Sequence, residues 1–346
     1  MTHDAPTPKA KYLTERSVFG LECLLFVRRL TDEQMQRLLY AGKETGTKTA
    51  EAMRQVRRRW TALQLVEASY LDATLETLVL AHTNKGFVES FRRCYPERVY
   101  PPARTRVAPE TMRHQLELAE LFVSIATARA RRWQDVRDCV ASFHWSSFDI
   151  DVRIAQREED VDGRVHERAT VPDAVLTTHA HRFLIEVERS TKTLDRVVQE
   201  KARPYNAIFS TASVRGNKTP YQQKFADARS PVIVFAVSSS ERAANLKRLL
   251  HGDLRVPAFF VGDRKEVAAF LRGHIDREPT PAASSEPEFL RLARESIDYS
   301  VATRKMSPAA AQIDLLRALA QVAFPPSEAA DRLRALDFLK RAASKG

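Results

Sequence analysis

The chain has 346 residues, 44% of them hydrophobic, which is enough for two or three domains with sizeable cores. Its longest apolar runs fall far short of a membrane span, and its N-terminus lacks the apolar core of a secretory signal. The net charge of +11 indicates a polyanionic partner, although a generally arginine-rich proteome would give the same charge. No pair of the three cysteines has zinc-ligand spacing, and their odd number favours a reduced, cytoplasmic setting.

The N-terminal part is predicted to be helical after a disordered leader at residues 1–14. Apolar residues at helical spacing predict a helix over Ser17–Arg29. Thr31 and Gln34 form a capping-box pattern that opens a second helix. After a glycine-containing break, Thr49 is predicted to cap a third helix.

Strands are expected to follow the third helix. Leu65–Leu80 is long enough for two strands, and Ala81–Pro102 is expected to complete the same region. Three short helices followed by a strand pair predict a winged helix-turn-helix domain over residues 15–102. The stretch Tyr100–Thr105, with its two prolines, is a plausible domain boundary.

The third helix has two chemically different sides. Met53, Val56 and Trp60 form an apolar stripe that would dock on the domain. The basic residues predicted to contact DNA are Lys48, Arg54, Arg57 and Arg58. A recognition helix presents such side chains to phosphates and guanine edges, whereas the alternative is an ordinary solvated helix face.

The second domain is predicted to begin with a long helix over Pro109–Trp133 and a strand over residues 144–154, where apolar residues alternate. A hairpin follows, with its turn between residues 179 and 180. Antiparallel pairing about that turn sets Asp173 opposite Glu186.

Period-two alternation places Glu188 on the same face as Glu186, so three carboxylates are expected to converge. Converging like charges need compensation, either from a metal ion or from Lys201 on the helix that follows. The alternative is that these acids form a solvated surface. Val175 and Leu184 lie on the same predicted face and favour a strand pair that is buried on both sides.

The remaining elements alternate between strands and helices. A strand, a helix, a strand and a helix are predicted over residues 232–237, 241–251, 258–262 and 265–274. Residues 277–287 have the composition of a linker, and residues 288–346 form a tail with a helical pattern. The expected fold class is a multi-domain α/β protein.

The order of one helix, three strands, one helix and one strand resembles the core of the PD-(D/E)XK nuclease-like fold, here over residues 109–275. Pro172-Asp173 and Glu186 match its acidic motif, which implies Mg²⁺ bound by Asp173 and Glu186. Glu188 stands where that fold has a lysine. Some members supply the lysine from the next helix, a role that the resemblance gives to Lys201.

A second resemblance covers roughly residues 15–275 and is to the replication-relaxation family of plasmid and mobile-element proteins. Its motifs match Leu30–Gln34, Met112–Glu120, Val171–Ala174, Phe183–Thr191 and Glu200–Tyr205. The family pattern also has an acid, a lysine and a tyrosine at positions 188, 201 and 205. His114 resembles a histidine that recurs on the linking helix, for which a packing role is the alternative.

The resemblance implies a DNA-binding accessory protein of plasmid or mobile-element replication and mobilisation. Double-stranded DNA is then the partner, together with relaxation-complex proteins or a second copy of the chain, and no membrane is involved. The first alternative is a Mg²⁺-dependent endonuclease or nickase that uses Asp173, Glu186, Glu188 and Lys201. The second is a transcriptional repressor whose second domain binds a partner or an effector.

Overall fold

The protein is described by a computed structural model. Its described residues are 13–43, 46–71, 77–95, 107–159, 165–189, 192–210, 218–227 and 229–277. Within these ranges, helices and three β-sheets give a mixed α/β fold, and no helix there is both long and apolar enough to cross a membrane. Residues 1–12, the 100–105 boundary and residues 278–346 lie outside the described residues, and with them most of the predicted leader and linker and all of the tail.

The elements described in the N-terminal part of the chain are four helices and three strands. They are α1 (Glu15–Val27), β1 (Arg29–Thr31), α2 (Asp32–Leu39), α3 (Thr47–Ala62), β2 (Val66–Tyr70), β3 (Leu78–His82) and α4 (Asn84–Cys94). The strands form an antiparallel sheet in the order β1-β3-β2. The three predicted helices and the strand pair of this region are therefore confirmed as secondary structure.

Local hydrogen bonds set the ends of these helices. Thr31 and Gln34 form the predicted capping box of α2. The prediction that Thr49 caps α3 is wrong, because α3 begins after Gly46 and the Thr49 hydroxyl accepts from the Gly46 N–H at 3.0 Å inside the first turn. The expectation that Ala81–Pro102 completes the strand region is also wrong for its described part after His82, because the Thr83 hydroxyl accepts from the Gly86 N–H and opens α4.

The second group of elements is built on a five-stranded sheet. The elements before the hairpin are α5 (Pro109–Thr127), α6 (Trp133–Ala141), β4 (His144–Ser146), α7 (Asp149–Val152), β5 (Ile154–Glu159) and β6 (Val165–Thr170). Those that follow are β7 (Ala174–Thr177), β8 (His181–Val187), α8 (Leu194–Val197), α9 (Arg203–Ile208), α10 (Pro220–Lys224), β9 (Ser230–Val237), α11 (Ser240–Asp253), β10 (Phe259–Asp263) and α12 (Arg264–Arg277).

The strand order in this sheet is β10-β9-β8-β7-β4. The pairs β4–β7 and β7–β8 are antiparallel, whereas β8–β9 and β9–β10 are parallel. Within the described ranges, strands β5 and β6 pair only with each other, as a separate hairpin that lies between β4 and β7 in the sequence. The two strands and two helices predicted between residues 232 and 274 are all present.

Two predictions in this region are wrong. The strand expected over residues 144–154 ends at Ser146, whose hydroxyl donates to Asp151 at 2.7 Å and helps to turn the chain into α7. The helix expected over Pro109–Trp133 ends at Thr127, and a separate helix, α6, begins at Trp133. The Asp135 carboxylate accepts from the backbone N–H groups of Arg131 and Arg132 and caps α6.

One continuous hydrophobic core packs against one face of the five-stranded sheet. Phe122 and Ile125 of α5 belong to it, together with Leu24 of α1 and Ile185 of β8. A second core on the opposite face contains Val175 and Leu184, which confirms that the hairpin is buried on both sides. Charged side chains at the ends of these strands must therefore be paired or hydrogen-bonded.

Candidate functional site

The hairpin has the predicted register. Ala174 pairs with Ile185 and Thr177 with Arg182, so the turn is centred between residues 179 and 180. Continuing this register by one position sets Asp173 opposite Glu186. The central geometric prediction for the second region is thus confirmed.

Lys201 lies between the two carboxylates. Its Nζ donates to Asp173 Oδ2 at 2.9 Å and to Glu186 Oε2 at 2.7 Å. Its remaining nearby acceptor is the carbonyl oxygen of Val187, at 3.4 Å. The predicted link between the acids and the following helix is therefore present, with the ammonium group in direct contact with both acids.

Three further groups complete the carboxylate cluster, which we define as Asp173, Glu186, Lys201, His114 and Tyr205. His114 Nε2 lies 2.9 Å from Asp173 Oδ1. The Tyr205 hydroxyl donates to Glu186 Oε1 at 2.7 Å. In addition, the backbone N–H of the residue after Glu186 donates to Asp173 Oδ2 at 2.7 Å. All four carboxylate oxygens therefore accept at least one hydrogen bond or ion pair.

The buried setting shifts the ionisation of the cluster. Burial alone would raise the pKa of Asp173, but the hydrogen bonds and charges of His114 and Lys201 lower it to about 2. Burial raises the pKa of Glu186, whose side chain is only 4% exposed, against the opposing effect of Lys201. Burial would lower the pKa of Lys201, but the two carboxylates outweigh it and raise that pKa.

The chain between α8 and α9 is a π-helical turn over Val198–Ala202. Such turns hold one extra residue and are frequent at functional sites. Val198 and Ala202 anchor this turn in the second core, and Lys201 projects from it onto the acids. Tyr205 lies one turn further along, within reach of the same glutamate.

Glu188 pairs with Arg242, and not with the metal ion or Lys201 that was predicted to compensate the acids. Its side chain is 3% exposed and accepts from Arg242 Nε of α11 at 2.7 Å. Arg242 also donates to the carbonyl oxygen of Lys192 at 2.6 Å, which ties α11 to the segment after β8. The position of Arg242 in the sequence does not predict this contact, because only the packing of α11 brings it to the acid.

The nuclease-like resemblance implies a Mg²⁺ ion, and the side chains of the carboxylate cluster can be compared with the ligands that this ion requires. Mg²⁺ needs near-octahedral coordination by oxygen atoms. In the described part of the chain, no three His, Cys, Asp or Glu side chains are grouped so that they could hold a metal ion. The oxygens of Asp173 and Glu186 already face an ammonium group and other donors. The cluster in this arrangement does not fit Mg²⁺.

The second candidate site is the outer side of α3. Met53 and Trp60 are buried beneath the helix as predicted, and Val56 is half-buried. The basic side chains that are exposed on α3 are Lys48, Arg54, Arg58 and Arg59. We call these four residues the basic face of α3. Arg59 was not among the predicted DNA contacts, although it follows Arg58 directly and is exposed as Arg58 is.

Two of the predicted DNA contacts on α3 have partners within the chain. Arg57 is half-buried and forms an ion pair with Asp32 of α2. Arg54 donates to Glu51 on its own helix at 2.7 Å, with both side chains more than 40% exposed. An exposed pair of this kind is weak and can be exchanged for a phosphate, whereas the Arg57 pair connects two helices.

Comparison with known proteins gives one result. A family model described as replication-relaxation matches residues 21–221, more than half of the chain. Searches of curated proteins and of solved structures gave no match. The matched residues include all of α3 and the whole carboxylate cluster.

Proposed function

Because the chain belongs to the replication-relaxation family, we propose that it is a DNA-binding accessory protein of plasmid or mobile-element replication and mobilisation. The DNA-binding element is α3, inside a winged helix formed by α1 to β3. The second region, built on the five-stranded sheet, has a nuclease-like fold and supports assembly or adds backbone contacts.

The topology of the N-terminal elements supports the winged-helix assignment. The chain order is α1-β1-α2-α3-β2-β3, and the sheet order is β1-β3-β2. This places the helix pair α2–α3 before a β-hairpin, as a helix-turn-helix with a wing requires. The tip of that hairpin, residues 72–76, lies outside the described residues.

The observation that carries the proposal is the division of α3 into a docked side and a basic side. Met53 and Trp60 fix one side of the helix in the core, at 1% and 0% exposure. The basic face of α3 is directed to solvent. Guanidinium groups match phosphate oxygens and guanine edges geometrically, so this side is suited to duplex DNA.

The arrangement of the second region supports a nuclease-like assignment. The order α5, β4, β7, β8, α9, β9 gives three antiparallel strands followed by a parallel one, with the acids at β7 and β8. The separate β5–β6 hairpin is then an insertion between the first and second strands of that core.

Duplex DNA binding can be tested with a charge-matched control. Fluorescence anisotropy would compare the full chain with Arg58→Ala/Arg59→Ala and with Lys247→Ala/Arg248→Ala, which removes two exposed cations from α11. We expect the α3 variant to lose at least about tenfold in affinity. The α11 variant should lose much less. Equal losses, or no loss in the α3 variant, would refute the assignment of α3.

A Mg²⁺-dependent endonuclease or nickase is the rival function, favoured by the meeting of Asp173 and Glu186 at the end of the hairpin. Incubating supercoiled plasmid with the protein and Mg²⁺ or Mn²⁺ distinguishes the enzyme from the DNA-binding accessory protein. Metal-dependent nicking that Asp173→Ala abolishes would establish the enzyme. Tight binding without nicking favours the accessory function. A repressor role and a homodimer remain predictions, and both are accessible to reporter and light-scattering measurements.

A further inference from the structure

We propose that Lys201 supplies the resident cation of the carboxylate cluster, so that its ammonium group keeps the site closed to divalent metal ions. This inference does not depend on DNA binding by α3. It concerns what occupies the position between Asp173 and Glu186, where the nuclease-like resemblance implies a metal ion.

The first support is that every oxygen of the two carboxylates already has a donor or a cation as its partner. Asp173 Oδ2 accepts from Lys201 at 2.9 Å and from the Val187 N–H at 2.7 Å. Asp173 Oδ1 faces His114 Nε2 at 2.9 Å. On Glu186, one oxygen accepts from Lys201 and the other from Tyr205, both at 2.7 Å. A metal ion would have to displace donors from both acids.

The second support is the saturation of the lysine. An ammonium group has three N–H donors. Among the residues that the structure describes, three acceptors lie within reach of Lys201, namely one oxygen each of Asp173, Glu186 and the Val187 carbonyl. The ammonium group therefore replaces its hydration shell with protein oxygens, as a bound metal ion would.

The third support is the way the backbone holds the lysine in place. Lys201 lies in the π-helical turn, between Val198 and Ala202, whose side chains are 4% and 1% exposed in the second core. The Lys201 side chain is only 22% exposed. It therefore extends to the acids from backbone that is fixed in the core, and most of its length is shielded from solvent. A divalent cation placed beside this ammonium group would also be repelled by it.

The chemical consequence is that the cluster acts as a cross-link. It joins α5 through His114, the ends of β7 and β8 through the two acids, and the turn before α9 through Lys201. On this account the nuclease-like region holds its shape without a metal ion, and removing the lysine should create a site for one.

The test measures Mn²⁺ binding to the full chain by electron paramagnetic resonance, in which free Mn²⁺ is counted directly. At about 1 mM Mn²⁺, the wild type is expected to bind no stoichiometric ion. The Lys201→Ala variant should bind one equivalent of Mn²⁺, with an affinity at least ~10-fold higher than that of the wild type. Adding Asp173→Asn to Lys201→Ala should abolish that binding. Mn²⁺ should also raise the Tm of Lys201→Ala and leave that of the wild type unchanged.

Two results would overturn the proposal. One is a stoichiometric Mn²⁺ ion on the wild type that Asp173→Asn removes. The other is a folded Lys201→Ala protein that binds Mn²⁺ no better than the wild type. If Lys201→Ala does not fold, the wild-type measurement still decides the first point, and the neutral, similarly sized Lys201→Gln serves for the second. DNA affinity, measured on the same samples, reports separately on α3.

Discussion

The basic face of α3 and the carboxylate cluster use charge in opposite ways. On α3, Arg58 and Arg59 extend into solvent from a helix that is anchored on its other side. In the cluster, each charged group is buried or half-buried and bonded to another part of the same chain. Exposed cations are available to a partner, whereas internally paired charges hold elements together. The two regions therefore point to recognition in one and cohesion in the other.

Arg57 shows that this difference can arise within a single helix. It lies one residue from Arg58, yet its guanidinium group pairs with Asp32 of α2 and is only 21% exposed. Burial raises the pKa of Asp32 even with Arg57 beside it, so the attraction to Arg57 does not fully offset the desolvation of the carboxylate. Arg57 thus connects α3 to α2.

The largest expected effect comes from removing the cation of the cluster. Lys201→Met leaves Asp173 and Glu186 facing each other without their shared partner. Removing one partner of a buried ion pair lowers the free energy of unfolding by about 3–5 kcal/mol. Urea unfolding followed by circular dichroism measures this loss.

A neutral version of the same cluster provides the control for Lys201→Met. The triple variant Asp173→Asn/Glu186→Gln/Lys201→Met removes the charges together, so it should be more stable than Lys201→Met alone. A single variant as stable as the wild type would mean that the cluster is solvated and does not hold the sheet region together.

The next largest effect is expected from the buried His82 of the N-terminal region, which makes stability depend on pH. Burial lowers the pKa of His82 from 6.5 to about 4, against the opposing hydrogen bonds to backbone carbonyl oxygens. The unfolded chain takes up a proton near pH 6.5 that the folded His82 does not accept until about pH 4. Stability should therefore fall by about 3 kcal/mol as the pH decreases through this range.

The control for His82 is His82→Gln, measured by urea unfolding across the same pH values. Other histidines contribute equally to both proteins, so the difference between the two curves isolates His82. The wild-type curve should fall more steeply between pH 6.5 and 4. Parallel curves would show that His82 is solvated in the native state.

The smallest expected effect is that of Arg57→Ala. The pair with Asp32 is partly exposed, so its loss should cost under about 1 kcal/mol of unfolding free energy. Its effect on DNA affinity should be smaller than that of Arg58→Ala, because Arg57 is less exposed than Arg58 and is paired with Asp32. A larger loss of affinity from Arg57→Ala would place Arg57 itself on the DNA.

Short-range rules predicted part of the site correctly. The register of Asp173 and Glu186 follows from the turn position and from period-two alternation. Lys201 was named, as an alternative to a metal ion, for the positive charge that the converging acids require. His114 and Arg242 could not be assigned in this way, because their contacts depend on how α5 and α11 pack against the sheet.

The errors in the fold have a similar physical origin. Alternating apolar residues fit both a strand and a short strand followed by a helical turn, and the Ser146–Asp151 hydrogen bond favours the second. Nothing in the sequence marks the π-helical turn around Lys201. On α3, spacing placed Arg57 among the DNA contacts, but the acid at the start of α2 binds it. Tertiary contacts decide which side of an element is free.

The most direct test of the central claim is the salt dependence of duplex binding, measured for the wild type and for Arg58→Ala/Arg59→Ala. Each phosphate contact contributes about 0.9 to the slope of log affinity against log salt concentration. If α3 lies on DNA, the variant should have a slope shallower by roughly 2. Equal slopes would mean that these arginines do not contact phosphate, and the basic face of α3 would then not be the DNA-binding surface.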